Sequence, residues 1–127
     1  MSRFVLDSSA LLALLCNEEG AEVVAKHSRN ACISWVNLAE VYAKQKDVNV
    51  SESEIDWALE GLQVVTVPFD APQAKLVGSL QESTRNQGIS FGDRACLALA
   101  MLRGLPVITA QKKWKELEFN VEIILLR

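Results

Sequence analysis

Short apolar runs alternate along this chain with longer stretches in which apolar residues recur at helical spacing. Residues 4–6, 31–34, 64–67, 107–108 and 121–125 read as strands. Between them lie helical patterns. Residues 10–15 follow Ser8 or Ser9 as a cap, and residues 19–26 form a second helix. Residues 35–46 form a third. Ser51-x-x-Glu54 is a capping box that opens a helix to Glu60. Asp70-x-x-Gln73 starts another, which Gly88 follows. Residues 93–103 are helical and Gly104 stops them. A short helix spans 114–117. This alternation predicts an α/β fold, a parallel sheet covered by helices. Several strands are unbroken apolar runs, as strands buried on both faces should be. Strand order is not legible from the pattern. Without repeats or a linker, residues 1–127 read as one domain.

Half of the 127 residues are hydrophobic, so a core forms without disulfides or a structural metal. The cysteines, Cys16, Cys32 and Cys96, are scattered, odd in number and show no CxxC pair. That argues against a zinc site or a disulfide framework. Reduced, mostly buried thiols in a cytoplasmic protein are the expectation. The N-terminal segment has one basic residue, Arg3, and an apolar run that ends at Asp7, unlike a secretory signal. No window approaches the ~20 apolar residues of a membrane span. The net charge of −3 counts against simple nucleic-acid binding, which phosphate neutralisation drives. It counts less if acids gather around a cation, which inverts the local field. The single histidine, His27, lies in the polar stretch KHSRN at a helix terminus. One histidine excludes a metal-free ribonuclease built on a histidine pair.

Three acids stand out by position. On its helix Asp93 is followed at i+3, i+4 and i+7 by Cys96, Leu97 and Ala100. It therefore heads a stripe that faces the core, where a carboxylate needs a cation, backbone N–H groups or a proton. An ordinary first-turn acid in a capping box with Ser90 explains it equally well. Glu40 lies on a narrow polar line with Asn37 and Lys44, while Trp35, Leu38, Val41 and Tyr42 look like core. A solvated Glu40–Lys44 pair accounts for that spacing. Asp7 is the first polar residue after an apolar strand, where ligands bind in parallel sheets. It also suits a helix cap. Three acids on separate elements would converge stably only around a hard, oxygen-liganded cation such as Mg2+. The corresponding chemistry is metal-assisted phosphodiester hydrolysis.

The segments VLDSSALLALL, ISWVNLAEVYAK, GISFGDRACLALA and VITAQKKW, in this order along nearly the whole chain, resemble the PIN domain. The likeness extends to the VapC toxins of VapBC toxin–antitoxin pairs. The resemblance implies a three-layer α/β/α sandwich with a central parallel sheet. It implies an acidic site that binds Mg2+ or Mn2+ and cleaves RNA endonucleolytically. Asp7, Glu40 and Asp93 match the family's first three acids, as catalytic residues and metal ligands. Ser9 matches a hydroxyl that supports the first. Family members act as homodimers and are held inactive by a small antitoxin of the VapB type.

One position departs from the pattern. Where the family carries a fourth acid, in T-x-D, this chain has Thr109-Ala110-Gln111. Gln111 offers a neutral carbonyl or amide but no full charge. One metal is then favoured over two. The same substitution motivates another reading, a PIN-like module that binds RNA or a partner with weak or no catalysis. A receiver-type phosphoryl-transfer domain is disfavoured, because Asp7-Ser8-Ser9 lacks a paired aspartate. Arg94, Lys112, Lys113 and Lys115 are candidates for RNA phosphate contacts, or else a solvated basic face.

Overall fold

The computed structural model describes all of residues 1–127. Strands β1 (Phe4–Leu6), β2 (Ala31–Ser34), β3 (Val65–Val67), β4 (Val107–Thr109) and β5 (Ile123–Leu125) form one sheet. Every pairing is parallel and the order is β3-β2-β1-β4-β5. Six α-helices surround it: α1 (Ser8–Leu15), α2 (Ala21–His27), α3 (Trp35–Lys46), α4 (Glu52–Leu62), α5 (Ala71–Ser83) and α6 (Phe91–Arg103).

The register explains the layers. Val5 lies beside Cys32 and Val107, and Leu6 beside Ile33 and Ile108. Successive strand residues point to opposite faces, so these two rows enter different cores. Val5, Cys32 and Val107 pack with Val77 and Leu80 of α5 and Cys96, Leu97 and Leu99 of α6. Leu6, Ile33 and Ile108 pack with Leu11 of α1, Val24 of α2, Leu38 and Val41 of α3, and Ile55 and Leu59 of α4. Helices therefore cover both faces, as the expected three-layer α/β/α sandwich requires. Helix α3 touches both cores, since Val36 packs on the first while Leu38 and Val41 lie in the second. No helix is long and apolar enough to cross a membrane.

The strand order places the site. From central β1 the chain steps to β2 and β3 on one side, and β4 and β5 lie on the other. Such a reversal opens a crevice beyond the carboxyl ends of the strands. Asp7 stands there, one residue after β1.

Several local expectations change. Asp7, not Ser8 or Ser9, caps α1, accepting the Ala10 N–H at 2.9 Å. Helix α2 begins at Ala21, later than residue 19, because Gly20 turns the chain with a left-handed φ of 94°. A Cβ at Gly20 would collide with the Leu126 carbonyl, so the turn requires glycine. The expected short helix is a 3₁₀ turn over Lys112–Glu116, and its buried Trp114 joins the α5–α6 core. Trp35 is not core: at the first position of α3 it lies outside both clusters, 44% exposed. Cys32 and Cys96 are buried but Cys16 is exposed, and all three are free thiols.

Candidate active site

Asp7 is 1% exposed and carries a full set of donors. Its Oδ1 accepts from the Ser9 hydroxyl at 2.7 Å and the Ala10 N–H at 2.9 Å. Its Oδ2 accepts from the Thr109 hydroxyl at 2.6 Å, across the sheet from β1 to β4. Burial raises the Asp7 pKa above the ordinary carboxylate value, and the bonds from Thr109, Ser9, Ala10 and Gln111 oppose that rise. Ser9 and Thr109 brace each other as well. The Ala110 N–H donates to Ser9 Oγ at 3.0 Å, and the Gln111 N–H donates to Thr109 Oγ1 at 3.0 Å.

Glu40 comes from the second turn of α3, the helix that follows β2. Its Oε1 accepts from the Ser8 hydroxyl at 2.9 Å and from Asn37 Nδ2 at 3.0 Å. Lys44 makes no ion pair with it; the one ion pair is Arg127–Glu18. The Glu40 carboxylate lies over Gly92, where any Cβ would strike it. Asp93 follows directly. The Ser90–Asp93 capping box is present, with the Ser90 N–H donating to Asp93 Oδ2 at 3.0 Å. The other oxygen, Oδ1, accepts from Gln111 Nε2 at 2.8 Å. Capping and site placement therefore coexist at Asp7 and at Asp93.

Burial pushes the pKa of the Cys96 thiol well up, and the charges of Asp7, Asp93 and Glu40 push it further, so Cys96 is an inert thiol. The three acids do not close into a finished cation shell, for no group of three acidic, cysteine or histidine side chains is gathered tightly enough to hold a metal. Each carboxylate is held by protein donors. The donor set nevertheless suits a hard divalent cation: three carboxylates on three elements, with Gly92 letting the Glu40 carboxylate lie next to the residue before Asp93.

The basic candidates divide. Arg94 turns to α5, where Nη1 donates to the Val77 carbonyl at 3.1 Å, so its guanidinium is engaged in helix packing. Lys113 Nζ donates to the Gly88 carbonyl at 2.8 Å. Lys112 and Lys115 are exposed. Sequence reasoning did not single out Ser8, Asn37, Ser90 and Gly92 as parts of the site. The i, i+3 spacing of Asn37 and Glu40 was the one available signal for Asn37. His27 is remote from the acids and stacks on Phe4 at 4.3 Å.

Comparison with known proteins adds an independent line. Residues 4–120 match the PIN domain family. A VapC ribonuclease of Mycobacterium bovis is 28% identical over 127 residues, covering 91% of both chains. Ribonuclease VapC28 of Mycobacterium tuberculosis gives the same identity and coverage. Among solved structures, the DNA-bound VapBC of Salmonella typhimurium superposes with a TM-score of 0.77 at 19% identity, covering 100% of both chains. A toxin–antitoxin complex from Klebsiella pneumoniae gives 0.74 at 20% identity, covering 94% of this chain and 98% of the other.

Proposed function

The chain belongs to the PIN domain family, and from that premise we propose that it is a metal-dependent endoribonuclease, the toxin of a toxin–antitoxin pair. The observation that carries this reading is one hydrogen-bonded network at the crevice of a parallel sheet. It links Asp7 from the end of β1 to Asp93 from α6 through Thr109 and Gln111, with Ser9 also on Asp7; Glu40 is held beside it by Ser8, next to Asp7 in the chain, and by Asn37, which also bonds the Gly92 carbonyl next to Asp93.

Asp7, Glu40 and Asp93 would hold Mg2+ or Mn2+. Such an ion, when bound, polarises a phosphoryl oxygen and lowers the pKa of an attacking water. The chain's own groups do the rest. Ser9 and Thr109 fix the Asp7 carboxylate in one orientation, and Ser90 and Gln111 do the same for Asp93. Fixed ligands lose little freedom when the substrate arrives. Lys112 and Lys115, exposed on the turn that follows Gln111, would meet RNA phosphates. The relatives named VapBC are complexes of toxin and antitoxin, which supports a small VapB-like partner for this chain. Homodimerisation and a cytoplasmic setting belong to the same reading.

Gln111 favours a second reading, a binding module with weak catalysis, because a neutral amide that donates to Asp93 stands where the resemblance implies a fourth acid. One experiment separates the two: RNA cleavage titrated against Mg2+ and Mn2+, with EDTA and Asp93→Asn as controls. The nuclease reading expects cation-dependent cleavage that Asp93→Asn abolishes. Equal cleavage by both proteins, or RNA binding without cleavage, rejects it.

A further inference from the structure

Asn37 is 1% exposed, and its amide is spent in an unusual way. Nδ2 donates to Glu40 Oε1 at 3.0 Å and to the Gly92 carbonyl at 3.0 Å. Oδ1 is buried and has no partner. Leaving a buried carbonyl oxygen unpaired is unfavourable, so packing alone does not explain an asparagine here. The amide cannot be turned over either. The flipped form would set Oδ1 against a carboxylate and a carbonyl, both acceptors. The residue type is accounted for by the two donors it places.

What those donors do follows from where they point. One end of the bridge is Glu40 on α3; the other is the residue immediately before Asp93 on α6. Asn37 therefore ties two of the three acids across the gap between their helices. Together with Ser8 it occupies Glu40 Oε1 from two sides. Oε2 accepts no hydrogen bond from the protein; the carboxylate lies against Gly92, in the space a side chain there would take.

We propose that Asn37 is a positioning residue for divalent-cation binding that acts through Glu40: anchored on the Gly92 carbonyl, its amide holds Oε1 and leaves Oε2 as the carboxylate's free oxygen. This rests on the metal-dependent reading above. Partners that orient a metal ligand from outside the coordination shell typically matter about 10- to 100-fold in affinity.

The test is calorimetric titration of Mn2+ into the full chain and into Asn37→Ala, Asn37→Ser, Glu40→Gln, Asp93→Asn and the Asn37→Ala/Glu40→Gln double variant, each checked by thermal melting. Asn37→Ala is expected to weaken binding roughly tenfold or more. Asn37→Ser, which retains one donor, recovers part of the loss. In the double variant the loss is no greater than in Glu40→Gln, because Asn37 acts through Glu40. Losses that add in the double variant point to a merely structural role and overturn the proposal. So does wild-type affinity in Asn37→Ala while Asp93→Asn loses binding. A wild-type chain that binds no Mn2+ defeats the metal reading and this inference together. If the Asn37 variants do not fold, the wild-type protein still decides: its Asn37 side-chain amide resonances should shift as Mg2+ binds, and unmoved resonances reject the proposal.

Discussion

The side-chain amide of Gln111 donates to the Asp93 carboxylate at 2.8 Å, joining the second residue after β4 to the first turn of α6. A neutral donor here relieves an acid that would otherwise face like charges. An aspartate would reverse the relation. Gln111→Asp should lower the melting temperature of the metal-free protein. Added Mn2+ should then raise it by more than in wild type, because linkage stabilises whichever form binds the ion more tightly. Melting curves with and without Mn2+ check this; equal shifts in the two proteins reject it.

Thr109 is fully buried and serves both sides, donating to Asp7 Oδ2 and accepting the Gln111 N–H. Thr109→Val keeps the shape and deletes the hydroxyl. It leaves a buried carboxylate short of one donor and a backbone N–H without its acceptor. A loss of about 1–3 kcal/mol in unfolding free energy is expected. Urea denaturation with an unchanged m-value measures it, and a loss below about 0.5 kcal/mol, the scale of surface substitutions, would contradict the assigned role.

Gly92 is buried beneath the Glu40 carboxylate. In Gly92→Ala the new methyl meets the far end of a flexible side chain, so Glu40 moves rather than the backbone. Helix propensity gains up to about 1 kcal/mol from the change, which offsets the strain. The variant should melt near wild type and yet lose RNA cleavage at least tenfold. A variant with normal melting and normal cleavage would falsify the placement of Glu40 at the working site.

Tyr42 on α3 donates its hydroxyl to Asp56 on α4. Burial, then the bond to Asp56, then the charges of Asp56 and Glu52 push its pKa from 10.0 up to about 12. A phenol with a raised folded-state pKa holds its proton longer than in the unfolded chain. Its contribution is complete below pH 10 and fades as pH rises toward 12. Ultraviolet titration of the phenolate should show the high midpoint, and Asp56→Asn should lower it. A wild-type midpoint at the ordinary tyrosine value overturns the assignment.

Much of the fold was legible because its causes are local. The capping boxes at Ser51 and Ser90 and the stop at Gly104 act within a turn of the chain, and all three occur where their residue types predict. The unbroken apolar runs announced strands buried on both faces, and the sheet is parallel throughout. Where the reading slipped, a distant neighbour was responsible. Trp35 has an apolar side chain at a helical position, but periodicity reports a face and not what covers it. Gly20 delays the start of α2 by its left-handed φ, and the Leu126 carbonyl, far along the chain, leaves no room there for a side chain.

The site divides along the same line. Spacing left Asp7 and Glu40 open, and the resemblance in segment order singled out Asp7, Glu40 and Asp93 as candidates, with Ser9 beside Asp7 and Gln111 as the odd member. Neither was enough to say what each carboxylate touches. Thr109 meets Asp7 across 102 positions, Gln111 meets Asp93 across 18, and Asn37 meets Gly92 across 55. Those contacts depend on strand order and on how α3 and α6 meet above the sheet, both products of packing two cores against one sheet. A hydrogen bond is short-ranged and directional. Its partners are therefore settled by the folded arrangement of the chain, while the choice of an acid, an amide or a hydroxyl is written in the residue alone.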